Sequence, residues 1–213
     1  MTLRMMLEEN MLEADRSSDG SAGMRTQRGF TLTELMVTVA VAGVLAMVAV
    51  PNMRTFLQNN RLSSASNDLL RSFYLARTEA IKHQANVVVC AVADPTLTAP
   101  TCSYGPFRGW IVFQDNNLSW QWENPEPIFE RHTLLDSSVT VKTDNNGIEM
   151  YLATGFASPA GVKIPTRNIL LCDSRGNQMV GSNSVERAVL IAASGRTRVS
   201  ATSADVLAAG TCP

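Results

Sequence analysis

Arg28-Gly29-Phe30-Thr31-Leu32-Thr33-Glu34-Leu35, followed by a run to Val50 without a charged residue, is the stretch that decides how the chain is built. A hydrocarbon core about 30 Å thick needs roughly 20 apolar residues in helical form. Phe30 to Val50 is of that size, with one carboxylate, Glu34, near its start. Charge inside such a run is expensive and needs a partner or a function. Gly43 and Pro51 mark soft points, because glycine loosens a helix and proline removes an N–H from its ladder. Three readings compete. One is a signal anchor with Glu34 at the interface. A cleaved secretory signal fits poorly, because the apolar run is too long and lacks a small-x-small site at its end. The third is a basic leader closing at Gly29, ahead of a segment that starts at Phe30 and carries Glu34 at its fifth position.

Upstream, residues 1–23 do not read as a basic leader. Glu8, Glu9, Glu13, Asp15 and Asp19 outweigh Arg4 and Arg16, whereas Met24-Arg25-Thr26-Gln27-Arg28-Gly29 is compact and basic. Translation is therefore expected to begin at Met24, with the first 23 residues a misassigned start. Arg25 and Arg28 should hold the leader on the cytoplasmic side and send the remainder outward.

Downstream of Pro51 the chain becomes amphipathic. Leu62, Ala65, Leu69, Phe73, Ala76 and Ala80 recur at spacings of three and four, which is one apolar stripe on a helix. A helix from Phe30 to about His83 is expected, its first half apolar all round and its second half packed on a domain. From Asn86 the period shortens. Val87–Val92, Trp110–Phe113, Ile128–His132, Val139–Lys142, Ile148–Leu152, Ile169–Cys172 and Ala188–Ala192 read as short strands separated by Asn-, Gly- and Pro-rich turns. One long helix followed by antiparallel strands implies an α+β fold with the sheet wrapped on the helix stripe. The expected divisions are a leader at 1–29, a transmembrane and assembly helix at 30–51, an amphipathic helix at 52–84 and a β-rich domain at 85–213.

Four cysteines, Cys90, Cys102, Cys172 and Cys212, are even in number and lack the C-x-x-C spacing of zinc or redox sites. Beyond a membrane anchor they suit disulfides in an oxidising compartment. Three pairings can be drawn. Cys90 with Cys102, closing a proline-containing loop, and Cys172 with Cys212, tying down the C-terminus, is the favoured one; buried free thiols are the alternative.

The net charge of −1 conceals an asymmetry. Lys163, Arg167, Arg175, Arg187, Arg196 and Arg198 face only Asp173 and Glu186 in that segment, a local +4 that hints at an anionic partner. Within Ser194-Gly195-Arg196-Thr197-Arg198, an extended backbone would project Arg196 and Arg198 to one side. Two guanidinium forks on one face suit phosphates along a nucleic-acid backbone. The competing reading has these arginines capping a sheet edge or paired with acidic neighbours on the next subunit. No catalytic constellation, phosphate-binding glycine loop or metal-spaced carboxylate cluster is present in the sequence, so a non-enzyme without cofactor or metal is expected.

The stretch from Arg28 to Glu34 resembles the class III signal of type IV prepilins. Ala76 to Lys82, Val87 to Cys90, Gly109 to Asp115, Leu171 to Gly176 and Ala193 to Val199 are similar to minor pilins and pseudopilins of the GspH/FimT type. The resemblance spans essentially residues 24–213, and the acidic extension before Met24 departs from it. It implies cleavage by a prepilin peptidase between Gly29 and Phe30, methylation of the new amino group, and Glu34 answering the positive N-terminus of a neighbouring subunit in a low-dielectric bundle. It further implies a pilin-like fold, an inner-membrane precursor whose C-terminal domain is periplasmic, and incorporation at or near a type IV pilus tip. The implied partners are major and minor pilins and the inner-membrane assembly machinery. In FimT-like proteins a Gly-Arg-x-Arg motif is associated with DNA uptake in natural transformation. That carries Gly195, Arg196 and Arg198 over as contacts to double-stranded DNA without sequence preference; Lys163, Arg167 and Arg187 join them on charge alone. The alternative from the same resemblance is a pseudopilin of a type II secretion system.

Overall fold

A computed structural model describes residues 29–103, 105–133, 135–144, 147–158 and 167–212. The chain divides into two compact units, Met1–Val48 and Ala49–Pro213. Helix α1 is assigned over Leu32–His83 and includes Pro51. In the first unit its opening turn is capped, because Thr31 Oγ1 accepts from the Glu34 backbone N–H at 3.2 Å. Thr31-Leu32-Thr33-Glu34 is thus a helix-start pattern, with an acid in the first turn where the helix dipole favours negative charge. Leu35, Met36, Val37, Val39, Val41, Val44, Leu45 and Met47 are all exposed around this stretch. A helix apolar on every side is stable only in lipid or among other apolar helices.

In the second unit α1 buries Leu62, Ala65, Leu69, Phe73, Ala76 and Ala80, the full stripe read from the sequence, together with Ser66 and Ser72. These pack against two antiparallel sheets. The first has the order β3 (Ile128–His132), β2 (Gly109–Asp115), β1 (Asn86–Val92), β5 (Ile148–Tyr151). The second runs β4 (Thr140–Thr143), β6 (Asn168–Cys172), β8 (Asn183–Ile191), β7 (Met179–Val180), with β9 (Thr197–Thr202) also paired to β8. A short helix, α2 (Ser203–Ala209), follows.

Strand period explains the core, since successive side chains point to opposite faces. On β1, Val87, Val89 and Ala91 join the α1 stripe, while Val88, Cys90 and Val92 face a second cluster with Cys102, Ile111, Phe113 and Met150. On β6, Ile169 and Leu171 turn to α1, and Leu170 and Cys172 meet Ala188, Val206 and Cys212 beneath α2. Both faces of each sheet are therefore covered, which is why β1 reads as a continuous apolar run rather than an alternation. Each outer cluster holds one disulfide: Cys90–Cys102 with Cα atoms 5.5 Å apart, and Cys172–Cys212 at 5.8 Å. An aromatic group of Phe73, Phe107, Trp110 and Tyr151 lies against α1, and Trp110 Nε1 donates to Ser72 Oγ at 2.8 Å.

Several details depart from the sequence expectation. β8 begins at Asn183 and ends at Ile191, not at Ala188–Ala192, because its N-terminal part pairs with β7 across Asn183 and Ser184. β4 is shifted one residue later than expected, to Thr140–Thr143. The short β7 and helix α2 carry no strong apolar period in the sequence, and β9 extends beyond the Arg196–Arg198 stretch expected to be extended, to Thr202.

A buried carboxylate gives this unit a distinctive pH response. Glu149 on β5 is fully buried, and desolvation pushes its carboxyl up to about 8 against the lowering pull of Arg167. Between the ordinary carboxylate range and that value, the folded chain holds a proton that the unfolded chain has released. Stability must then fall as pH rises through that window. Chemical denaturation at about pH 5 and pH 8.5 should show a decline on the order of a few kcal/mol that is absent from Glu149→Gln. An equal decline in both proteins would refute the assignment.

Candidate functional site

Two regions hold the residues singled out by the sequence. Gly29 and Phe30 immediately precede α1, and Phe30 is 83% exposed. Glu34 sits in the first helical turn on the apolar rod, exposed like its neighbours. Among the described residues one helix, α1, contains a stretch long and apolar enough to cross a membrane.

The second region is the hairpin between β8 and β9. Its turn closes through Ala192 N–H to Arg196 C=O at 2.9 Å and Gly195 N–H to Ala192 C=O at 2.8 Å. Gly195 has φ +79°, and a Cβ there would lie 2.0 Å from the Gly155 carbonyl oxygen. The absence of a side chain at Gly195 thus lets another turn of the same domain approach its backbone closely. Arg77 Nε of α1 donates to that same Gly155 oxygen at 3.0 Å, so helix and two turns meet at one point.

Beyond Gly195 the strand alternates as expected. Thr197 turns inward, its Oγ1 within 2.9 Å of the buried Tyr151 hydroxyl, while Arg196 and Arg198 are exposed. Both arginines line a groove of about 510 Å³ with Asn168, Leu190, Ile191, Ala192 and Ala208. Arg198 is engaged: its Nη1 and Nη2 donate to Asp205 Oδ2 and Oδ1 at 2.7 and 2.8 Å. That pairing, reinforced by hydroxyls of Ser200 and Thr202, holds the Asp205 carboxyl far below the usual carboxylate range. Arg198 therefore does meet an acid, but one of its own chain and not the neighbouring-subunit acid expected from the sequence. Asp205 itself went unread, although Thr202-Ser203-Ala204-Asp205 has the Ser/Thr-x-x-acid spacing of a helix start.

Neither Arg167 nor Arg187 lines this groove. Arg167 donates through Nη2 to the Ser158 carbonyl, and its Nη1 lies 3.3 Å from the buried Glu149 Oε2 without hydrogen-bond alignment. Its guanidinium is turned toward an interior acid and a backbone carbonyl, which removes it from the expected basic face. Arg187 Nη1 donates to the carbonyls of Ser184, Val185 and Glu186 on its own strand. Lys163 lies outside the described residues. Among the described residues no group of three or more His, Cys, Asp or Glu side chains could hold a metal ion. His132 instead stacks on Trp110 with ring centroids 3.8 Å apart, and His83 lies 3.0 Å from Glu79.

Comparison with known proteins places this geometry. Residues 24–50 match the prokaryotic N-terminal methylation motif, and residues 65–195 match the family described as type II transport protein GspH. A fimbrial protein of Pseudomonas aeruginosa is 37% identical over 98 residues, a match covering 44% of this chain and 63% of that protein. Thus the chain spans somewhat less than two thirds of that relative's length. The prepilin peptidase-dependent protein D of Escherichia coli is 28% identical over 151 residues, covering 68% of this chain and 84% of the relative. The crystal structure of the type IV minor pilin FimU from Pseudomonas aeruginosa aligns with 68% of this chain and 91% of its own, at 18% identity and a TM-score of 0.47. With the GspH match alone spanning more than half of its residues, and the methylation motif preceding it, the chain belongs to the GspH family of minor pilins and pseudopilins.

Proposed function

We propose that this chain is a minor type IV pilin, made as an inner-membrane precursor with a periplasmic C-terminal domain, cut between Gly29 and Phe30 by a prepilin peptidase, N-methylated, and incorporated at or near a pilus tip among other pilins. The observation that carries the reading is the methylation motif at 24–50, whose residues from Leu32 onward form a helix that is apolar all round and bears one acid, Glu34. In a bundle of such helices Glu34 meets the amino group of a neighbouring subunit. At low dielectric that attraction is several times stronger than in water and fixes subunit register. Mass spectrometry of fibre-derived protein should find N-methylated Phe30 as the first residue. Glu34→Ala should be processed normally yet be lost from sheared fibres, because an unanswered charge remains in the bundle. A different first residue, or full incorporation of Glu34→Ala, would refute the proposal.

The GspH family description favours a second reading, a pseudopilin of a type II secretion system with the same processing and the same packing logic. Appearance of the chain in secretion pseudopili and its absence from surface pili would select it.

The arginine groove adds a proposed ligand, double-stranded DNA held without sequence preference for uptake in natural transformation. Arg196 and Arg198 line one exposed groove, which is what phosphate contact requires. Binding through so few phosphates should be weak and fall steeply with salt.

A further inference from the structure

Arg198 does not offer a bare guanidinium to the groove it lines. Both of its terminal nitrogens are committed to the two oxygens of Asp205, in the fork-to-fork geometry that guanidinium groups also use for phosphates. The carboxylate is itself held in place. It accepts from Ser200 Oγ at 2.6 Å and from Thr202 Oγ1 at 3.0 Å, so the strand presents it to Arg198 already oriented. Arg196, two residues away, has no side-chain hydrogen bond or ion pair among the described residues. At rest the groove carries one uncompensated positive charge where the sequence promises two. A phosphate reaching Arg198 must displace Asp205 or share the guanidinium with it. The ion pair is partly solvent-exposed, with the side chain of Arg198 54% and that of Asp205 26% accessible. Pairs of that kind are weak enough for a polyanion to compete with, and still strong enough to lower its affinity.

We propose that Asp205 is an internal competitor that sets how tightly the Arg196–Arg198 groove holds the phosphates of duplex DNA. The resting groove then engages through Arg196, and Arg198 joins only as Asp205 releases it. This rests on the DNA-contact reading above, and it makes Asp205 a positioning residue that acts through Arg198.

The test is a set of mobility-shift titrations of the full chain in non-ionic detergent with a mixed-sequence DNA duplex, from about 20 to 200 mM salt. Asp205→Asn removes the charge while preserving shape. It should bind about fivefold to tenfold more tightly at about 0.1 M salt, with the log–log salt slope steeper by about one phosphate contact. Asp205→Ser, with the same charge loss in a different side chain, should reproduce the gain. Arg198→Gln should cost the parent chain less than Arg196→Gln, and should abolish the gain when combined with Asp205→Asn. Folding of each variant is checked by circular dichroism. Unchanged affinity in both folded Asp205 variants, with Arg196→Gln still weakening binding, would overturn the competitor role and leave the DNA reading standing. A gain that survives Arg198→Gln would overturn it as well. Binding by the Asp205 variants but not by the parent would support the competitor and overturn DNA contact by the resting chain. No binding by any protein at the lowest salt would overturn both.

Discussion

Phe73→Ala should lower the unfolding free energy of the chain by about 3–5 kcal/mol, read from denaturant midpoints in detergent at constant slope. Phe73 is fully buried on the inner face of α1, where its ring meets Phe107 edge-on at 5.8 Å and Tyr151 at 6.5 Å. Removing the ring loses its transfer free energy and leaves a cavity that its neighbours cannot fill. Those neighbours are fixed from several directions: Trp110 is tethered through its indole N–H to Ser72, and Tyr151 through its hydroxyl to Thr197. Domains are stable by only about 5–15 kcal/mol, so this one change removes about a fifth or more of the total. Phe73→Leu, which refills most of the volume, should recover more than half of the loss. A cost below about 1 kcal/mol for Phe73→Ala would show that the helix stripe is not what holds the two sheets.

The second large effect is expected at Gly195. Gly195→Ala should destabilise by roughly 3 kcal/mol, and Gly181→Ala by only about 1 kcal/mol. The comparison isolates the cause. Both glycines have positive φ, +79° and +66°, so both substitutions incur left-handed backbone strain. At Gly181 an added methyl group meets nothing within 4 Å, whereas at Gly195 it meets the Gly155 carbonyl oxygen at 2.0 Å. That oxygen is the acceptor for Arg77, so relieving the clash by moving the turn also breaks a helix-to-turn hydrogen bond. Equal costs at the two positions would show that backbone conformation, not turn-to-turn packing, is the constraint. Because the same hairpin carries Arg196 and Arg198, Gly195→Ala should also disturb the groove; folding must be verified before any change in DNA affinity is assigned to the arginines.

How the arginines are used illustrates why charge alone is an incomplete guide to a binding face. Arg167 and Arg187 look equivalent to Arg196 and Arg198 along the chain. Arg167 instead reaches toward the interior acid Glu149, and Arg187 satisfies carbonyls of its own strand. Buried or half-buried guanidinium groups need such partners, because an unpaired charge away from water is strongly penalised. Nothing in a run of residues announces which cation meets which acid, since the partners come together only when β5, β6 and the β8–β9 hairpin are in place.

Local periodicity was enough to identify the rod, its lone acid Glu34, the buried stripe from Leu62 to Ala80 and the continuous apolar run of β1, because each depends on residues a few positions apart. Of the three pairings open to the four cysteines the sequence favoured one, and the structure contains it. Tertiary structure alone decided that Gly195 serves a contact with Gly155, that Arg198 is already answered by Asp205, and that Arg167 belongs to the interior. Those outcomes depend on close approach between segments distant in sequence or on a strand turning into a helix. Such approach is set by the packed sheets and not by any pattern within one segment.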